Sequence, residues 1–271
     1  MQIVFEHQWK GKNIAMKMKQ VVLFIVFVFI GLVFFGCNQN RVEEETEDSV
    51  KKEKKEEKAN FVFFEETKEL AESGDAEAQF NLGDMYKNGE GCIKDMKQAF
   101  YWRKKSAEQE NAKAQCNLGN MYKRGEGCVI DKIQAMYWYK KSAEQGEARA
   151  QYNLGVMCYY GDGTTKDLGQ AFYWYKKSAE QGHAMAQNDL GVMYKNGDET
   201  TKDLEQAFYW WKKSAEQGEA KAQYNLGLMY FYGDGIAVDK KQSVYWVWKS
   251  KENGYEGAEK TWNDLELWQY E

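Results

Sequence analysis

The chain has 271 residues with no proline, 24 glycines, 15% aromatic and 29% charged side chains. A proline-free chain of this length is a poor fit to a turn-rich β-sandwich. Ten tryptophans and eighteen tyrosines exclude wholesale disorder, which needs a shortage of large apolar side chains. Net charge is −5, and the first 36 residues hold four lysines against one glutamate, so the rest is more acidic still. That is the reverse of the basic footprint a nucleic-acid binder carries. Only His7 and His183 are present, which excludes metal and acid–base schemes that need several histidines.

In chain order, residues 1–36 come first and read as a signal or membrane segment. Lys17 and Lys19 precede the apolar run 21–36, which ends at Cys37. A charged start, an apolar run and a small residue before cysteine form the layout of a secretory signal. The run is shorter than the roughly 20 residues that span a bilayer comfortably. Phe34-Phe35-Gly36-Cys37 resembles a bacterial lipobox, although Phe34 stands where leucine is usual. The resemblance implies cleavage before Cys37 and lipidation of its thiol. The alternatives are an uncleaved anchor and an ordinary signal peptide, the latter without an Ala-x-Ala-like site. The expected location is the bacterial cell envelope, on the periplasmic or outer-surface side. Residues before Met16 do not read as a signal, so Met16 or Met18 is the expected start. Residues 37–60 follow as a charged, disordered tether: positions 41–58 alone hold six basic and eight acidic side chains.

The remainder is one unit repeated. Leu-Gly recurs at Leu82-Gly83, Leu118-Gly119, Leu154-Gly155, Leu190-Gly191 and Leu226-Gly227, each step 36 residues. Trp102, Trp138, Trp174, Trp210 and Trp246 keep the same interval, as do Asp95, Asp131, Asp167, Asp203 and Asp239. Five units result: 75–110, 111–146, 147–182, 183–218 and 219–254. A fixed period of this size predicts a solenoid rather than a closed globule. Within a unit, Ala78, Leu82, Met85 and Tyr86 lie on one face of a first helix. Gly89 and Gly91 break it, Asp95 caps a second helix, and Ala99, Trp102 and Ser106 share that helix's inner face. Neither short helix is stable alone; stacking buries their apolar faces continuously. Residues 61–74 match a degenerate second helix and 255–271 an altered first helix, as capping elements do. The predicted fold class is all-α, a solenoid of antiparallel helix pairs.

The pattern Ala-x-Ala-Gln-x-Asn-Leu-Gly-x-Met-Tyr-x-x-Gly-x-Gly, running on through Asp131 and Tyr137-Trp138-Tyr139 to Ser142-Ala143-Glu144-Gln145-Gly146, resembles the Sel-1-like repeat. That family is a longer-period relative of the tetratricopeptide repeat. The resemblance covers about three quarters of the chain and implies a right-handed superhelix whose first helices line a concave face. It further implies an adaptor that binds proteins or peptides. Three departures stand out: Glu199 for the second loop glycine of unit four, Cys158 for a tyrosine, and Asp189 for an asparagine.

Positions that vary between units are free for recognition. In unit one the first helix carries Phe80, Asp84, Lys87 and Asn88 at these positions. Unit three carries Tyr152, Val156, Tyr159 and Tyr160, and unit five carries Tyr224, Leu228, Phe231 and Tyr232. These two aromatic patches are the candidate partner-binding residues, since aromatic side chains dominate binding hot spots. The alternative use of the same rings is packing against the next unit. The recurrent Tyr101-Trp102 pairs read as core, and Lys104-Lys105 and their equivalents as a solvated face.

The four cysteines beyond Cys37 do not repeat at bridging positions and read as small apolar side chains. The single acidic residue of each loop reads as a turn residue rather than a calcium ligand. No catalytic, cofactor-binding or metal-ligating set is expected. The favoured function is a non-enzymatic, envelope-anchored adaptor for a peptide or protein segment. The alternatives are an exported β-lactamase or peptidoglycan-hydrolase-like protein, as claimed for cysteine-rich relatives, and a secreted host-interaction module.

Overall fold

The computed structural model describes residue 52 and residues 55–270. The apolar run, Cys37 and most of the charged stretch lie outside these residues. The chain divides into two bodies at residues 62 and 63. In the first, residues 55–62 are helical and exposed. The end of the stretch read as a disordered tether is therefore helical, as a Lys/Glu-rich sequence of high helix propensity allows.

The second body is an α-solenoid. Helix α1 (residues 63–72) precedes five helix pairs. The pairs are α2 (Ala76–Asn88) with α3 (Met96–Glu108), α4 (Ala112–Arg124) with α5 (Lys132–Glu144), and α6 (Ala148–Tyr160) with α7 (Leu168–Glu180). Then come α8 (Ala184–Asn196) with α9 (Leu204–Glu216), and α10 (Ala220–Tyr232) with α11 (Lys240–Glu252). A shorter α12 (Glu256–Asp264) and a 3₁₀ turn (Leu267–Tyr270) close the described chain. Each first helix packs on its own second helix, each second helix packs on the first helix of the next pair, and no strand occurs among the described residues.

Local chemistry sets the helix ends. Every second helix begins at an aspartate, Asp95, Asp131, Asp167, Asp203 or Asp239, whose carboxylate accepts from backbone N–H groups two or three residues on. Every first helix of a pair ends at a glycine in the left-handed region, φ 71 to 81°. Glu199 adopts φ 58° where the other units have Gly91, Gly127, Gly163 and Gly235 at φ 69 to 81°. The loop is thus kept rather than altered, at a strain of about 1–2 kcal/mol for a residue with a Cβ. The Glu199 carboxylate lies beside Gly169 of the preceding unit.

The core repeats with the sequence. Leu82, Leu118, Leu154, Leu190 and Leu226 are fully buried, with the alanines and methionines that flank them. The glycine after each leucine faces its own unit's second helix so closely that a Cβ would stand 2.6–2.7 Å from the side chain of Arg103, Tyr139, Tyr175, Trp211 or Val247. The residue after that glycine completes the contact where it can. Asp84 pairs with buried Arg103, and Asn120 accepts from the Tyr139 hydroxyl at 2.8 Å.

Polar side chains tie the stack together. Ser106, Ser142, Ser178, Ser214 and Ser250 each donate to the first carbonyl of their unit's first helix at 2.6–2.7 Å. Gln79, Gln115, Gln151, Gln187 and Gln223 each donate to an alanine carbonyl of the preceding element at 3.0–3.1 Å. Each in turn accepts from an amide at the end of its own unit, Gln109, Gln145, Gln181, Gln217 or Asn253. Buried amides joined this way bridge neighbouring units without an orphan donor.

Edge-to-face rings join successive elements: Phe64 with Tyr86, Phe100 with Tyr122, Phe172 with Tyr194, and Phe208 with Tyr230. Between units two and three the corresponding residues are Met136 and Cys158, which share one apolar cluster. The Tyr-Trp pairs split against expectation. Trp138, Trp174 and Trp210 are buried, whereas Tyr101, Tyr137, Tyr173, Tyr209 and Tyr245 are 45–48% exposed. Their rings stand under lysine ammonium groups one turn on, at 4.7–5.7 Å.

Candidate functional site

The eight candidate partner-binding residues fall into two environments. In unit five, the Tyr224 ring lies 4.9 Å from that of Tyr255 in a tilted pair, and its hydroxyl is 3.0 Å from Thr261 Oγ1. Phe231 packs with Val247, Ala258 and Leu267, and Lys240 Nζ sits 3.1 Å above its ring. Leu228 is half-buried and Tyr232 exposed. Two rings of this patch therefore serve the contact with α12 and the 3₁₀ turn.

In unit three, Tyr152 lies 4.8 Å from the His183 ring and 5.8 Å from Tyr175. Val156 and Tyr159 are half-buried, while Tyr160 is 73% exposed and meets Tyr159 edge to face. Tyr159 and Tyr160, with Tyr175, Asp189 and Val192, line a recess of about 90 Å³. The first-helix residues come from α6 and α8, and Tyr175 comes from α7. A second, wider recess of about 460 Å³ is formed by Lys241, Val244, Tyr245, Trp248, Trp262 and Tyr270 at the C-terminal end.

Asp189 and Tyr175 are the residues that sequence reasoning missed. Asp189 stands where four other units have asparagine, a signal noted above only as a departure from the repeat. Its carboxylate accepts from Asn188 Nδ2 at 2.9 Å, with the Tyr152 phenol adjacent. Desolvation pushes its carboxyl above the usual carboxylate range; the Asn188 and Tyr152 contacts and the field of Lys221 oppose the shift without cancelling it. Burial likewise raises the phenols of Tyr175 and Tyr152, and the Asp189 charge raises both further. His183 caps α8 by accepting the Ala186 N–H on Nδ1 at 3.2 Å. Burial, with Arg149 next, holds its pKa below the usual value.

In unit one, Asp84 is committed to Arg103 and is not a free surface position. The four cysteines among the described residues form no disulfide with one another, and Cys92 and Cys128 each place Sγ 3.6 Å from a methionine carbonyl of their own unit. Among the described residues, no group of three or more His, Cys, Asp or Glu is placed to hold a metal ion. No described helix is long and apolar enough to cross a membrane.

The Sel1 repeat family model matches residues 76–111, 112–147, 148–183, 184–219 and 220–255, the same five helix pairs counted from the first helical residue. The chain belongs to the Sel1 repeat family. Among solved structures it is 40% identical to a protective antigen present in uropathogenic Escherichia coli strains, displaying an SLR fold. That match has a TM-score of 0.69 and covers 72% of this chain. The chain spans only 42% of the length of the E. coli protein. A Sel1 repeat protein from Oxalobacter formigenes is 36% identical, with a TM-score of 0.66, over 70% of this chain and 78% of that one. Comparison with the curated proteins finds no match. The Sel1 repeat solenoid is a fold consistent with a protein-interaction scaffold.

Proposed function

We propose that this Sel1 repeat chain is an envelope-anchored adaptor that holds a peptide or protein segment against the first-helix face of units three and four. One observation carries the reading. The unit-three patch keeps an open, ring-lined recess with Tyr160 largely exposed, while the unit-five patch is engaged by the chain's own end. Exposed aromatic side chains around a desolvated pocket are the usual anchors of an interface. Anchoring rests on the apolar run and Cys37. Export and a lipid tether place the solenoid beside a membrane, with the groove free for a partner.

A photoreactive phenylalanine at position 160, installed in the full chain in a bacterial host, tests the binding face. Discrete adducts from position 160 and none from position 137, on the outer tyrosine row, are expected. No adduct at 160, or the same adducts from both, overturns the proposal. Labelling with a palmitate analogue tests the anchor: label is expected on the native chain and absent from Cys37→Ala. An unlabelled native chain overturns lipidation.

A further inference from the structure

We infer that the recess between units three and four is a receptor for a lysine side chain of the partner segment, with Asp189 as counter-ion and Tyr159, Tyr160 and Tyr175 as its aromatic walls. The inference rests on the proposed binding face and assigns the chemistry at its centre.

Asp189 is a largely enclosed carboxylate with no lysine or arginine nitrogen within 4.0 Å among the described residues; the described ion pairs all lie elsewhere. Lys221 on α10 reaches it only through its field. An enclosed charge without an opposite charge beside it is costly, and a partner cation would remove that cost. The chain holds an alternative that costs less: Asn81, Asn117, Asn153 and Asn225 occupy the equivalent position.

Tyr175 is 2% exposed, yet it lines the recess and makes no side-chain hydrogen bond among the described residues. Its equivalent, Tyr139, donates to Asn120; unit three has Val156 at that place, so the Tyr175 hydroxyl has no such acceptor. A buried tyrosine and a half-buried carboxylate, from different units, thus converge on one small cavity. Three tyrosines line it, and an aromatic ring attracts an ammonium through its π-face. Tyr159 already attracts one, with Lys166 Nζ 5.4 Å from its centroid.

The geometry selects an ammonium over a guanidinium. Two donors, Asn188 Nδ2 and the Tyr152 phenol, already face the Asp189 carboxylate, which leaves fewer lone pairs for the two parallel bonds a guanidinium makes. A recess of about 90 Å³ has room for the end of one unbranched side chain. The chain's net charge of −5 favours approach of a cationic segment.

The test titrates the full chain, in detergent, with Nα-acetyl-lysine methylamide and follows binding by NMR chemical shift. Saturable binding in the millimolar range is expected for the native chain. Asp189→Asn should weaken it at least tenfold while melting no lower than native, because asparagine is the residue other units use there. The ε-acetylated probe should not bind. Equal binding by native and Asp189→Asn chains, or by the ε-acetylated probe, overturns the inference. A free α-amine probe, alanine methylamide, bound as tightly would overturn the assignment to a side chain. Adducts from position 160 that persist in Asp189→Asn, together with a failed lysine titration, would leave the binding face standing and remove the lysine receptor alone.

Discussion

Units three and five carry the same kind of aromatic patch and meet opposite fates. In both, the tyrosine at the fifth helical position meets an aromatic side chain 31 residues on, Tyr152 with His183 and Tyr224 with Tyr255, at nearly equal distances. In both, its hydroxyl faces the residue 37 positions on. That residue is the neutral Thr261 after unit five and the carboxylate Asp189 after unit three. Beyond it the chain diverges. The altered final helix brings Trp262, Leu265 and Leu267 to cover Phe231, whereas unit four keeps a regular surface and leaves the recess open. An aromatic residue at a variable position is therefore no marker of a binding site by itself. The element that follows it decides whether the ring is core or surface.

Substitutions can break this contrast, and the largest effect belongs to the buried wall. Tyr175→Ala removes a ring that is 2% exposed, and should cost about 3–5 kcal/mol in urea unfolding. Phe231→Ala should cost about 2 kcal/mol, since its ring is only half-buried. Its signature is local: hydrogen exchange in α12 should accelerate while α2 to α7 keep their protection, as expected of a nearest-neighbour stack. If exchange in α12 is unchanged, the unit-five patch is not a capping contact.

Asp189→Asn should stabilise the chain by about 1 kcal/mol at pH 7, as desolvation of a charge is relieved. The raised pKa sets the sign of its pH dependence. The native chain has no such penalty below the ordinary carboxylate pKa, near 3.9, and acquires it as pH rises through the raised value. The gap between variant and native should accordingly close toward pH 4; a gap that widens there would refute the enclosed-carboxylate reading.

His183 titrates in the opposite sense. Its folded pKa lies below the ordinary 6.5, so its cap is intact above that pH and is lost as pH falls through the depressed value. A loss of about 1 kcal/mol by pH 5 is expected in the native chain and not in His183→Asn, which restores the residue unit two uses. The smallest effect is Tyr160→Ser: with its ring mostly in water, stability should move by less than about 0.5 kcal/mol. A larger drop would mean the open face is packing surface after all.

Most of the architecture was legible because it is written five times. Leu82, Gly83, Trp102 and Asp95 recur at one interval, and helix period, glycine breaks and aspartate caps follow from residue chemistry alone. The Tyr101 row was misread because the position before the tryptophan turns outward, while the tryptophan and the residue after it, such as Tyr139, Tyr175 or Trp211, turn inward. The glutamine and serine ties were invisible as such, since a polar residue on an inner face gives no hint of which carbonyl it meets. The candidate site was half legible. Tyr152, Tyr159 and Tyr160 stood out by type, but Asp189 and Tyr175 reach the same cavity from helices in successive units. A single exchange within one unit carries no sign of the cavity it enters.

The ring pairs between neighbouring units set a rule of succession. Phe100, Phe172 and Phe208 each offer a ring that the next unit's tyrosine meets edge to face, while Met136 meets the small Cys158. A shuffled gene that placed unit three directly after unit one would set Phe100 against Cys158, where the partner ring is missing. The same gene would place Met136 before a tyrosine. Sel1 units of this chain share a fold yet are not interchangeable beads. Most junctions share one Phe–Tyr match, and the junction between units two and three carries a different one.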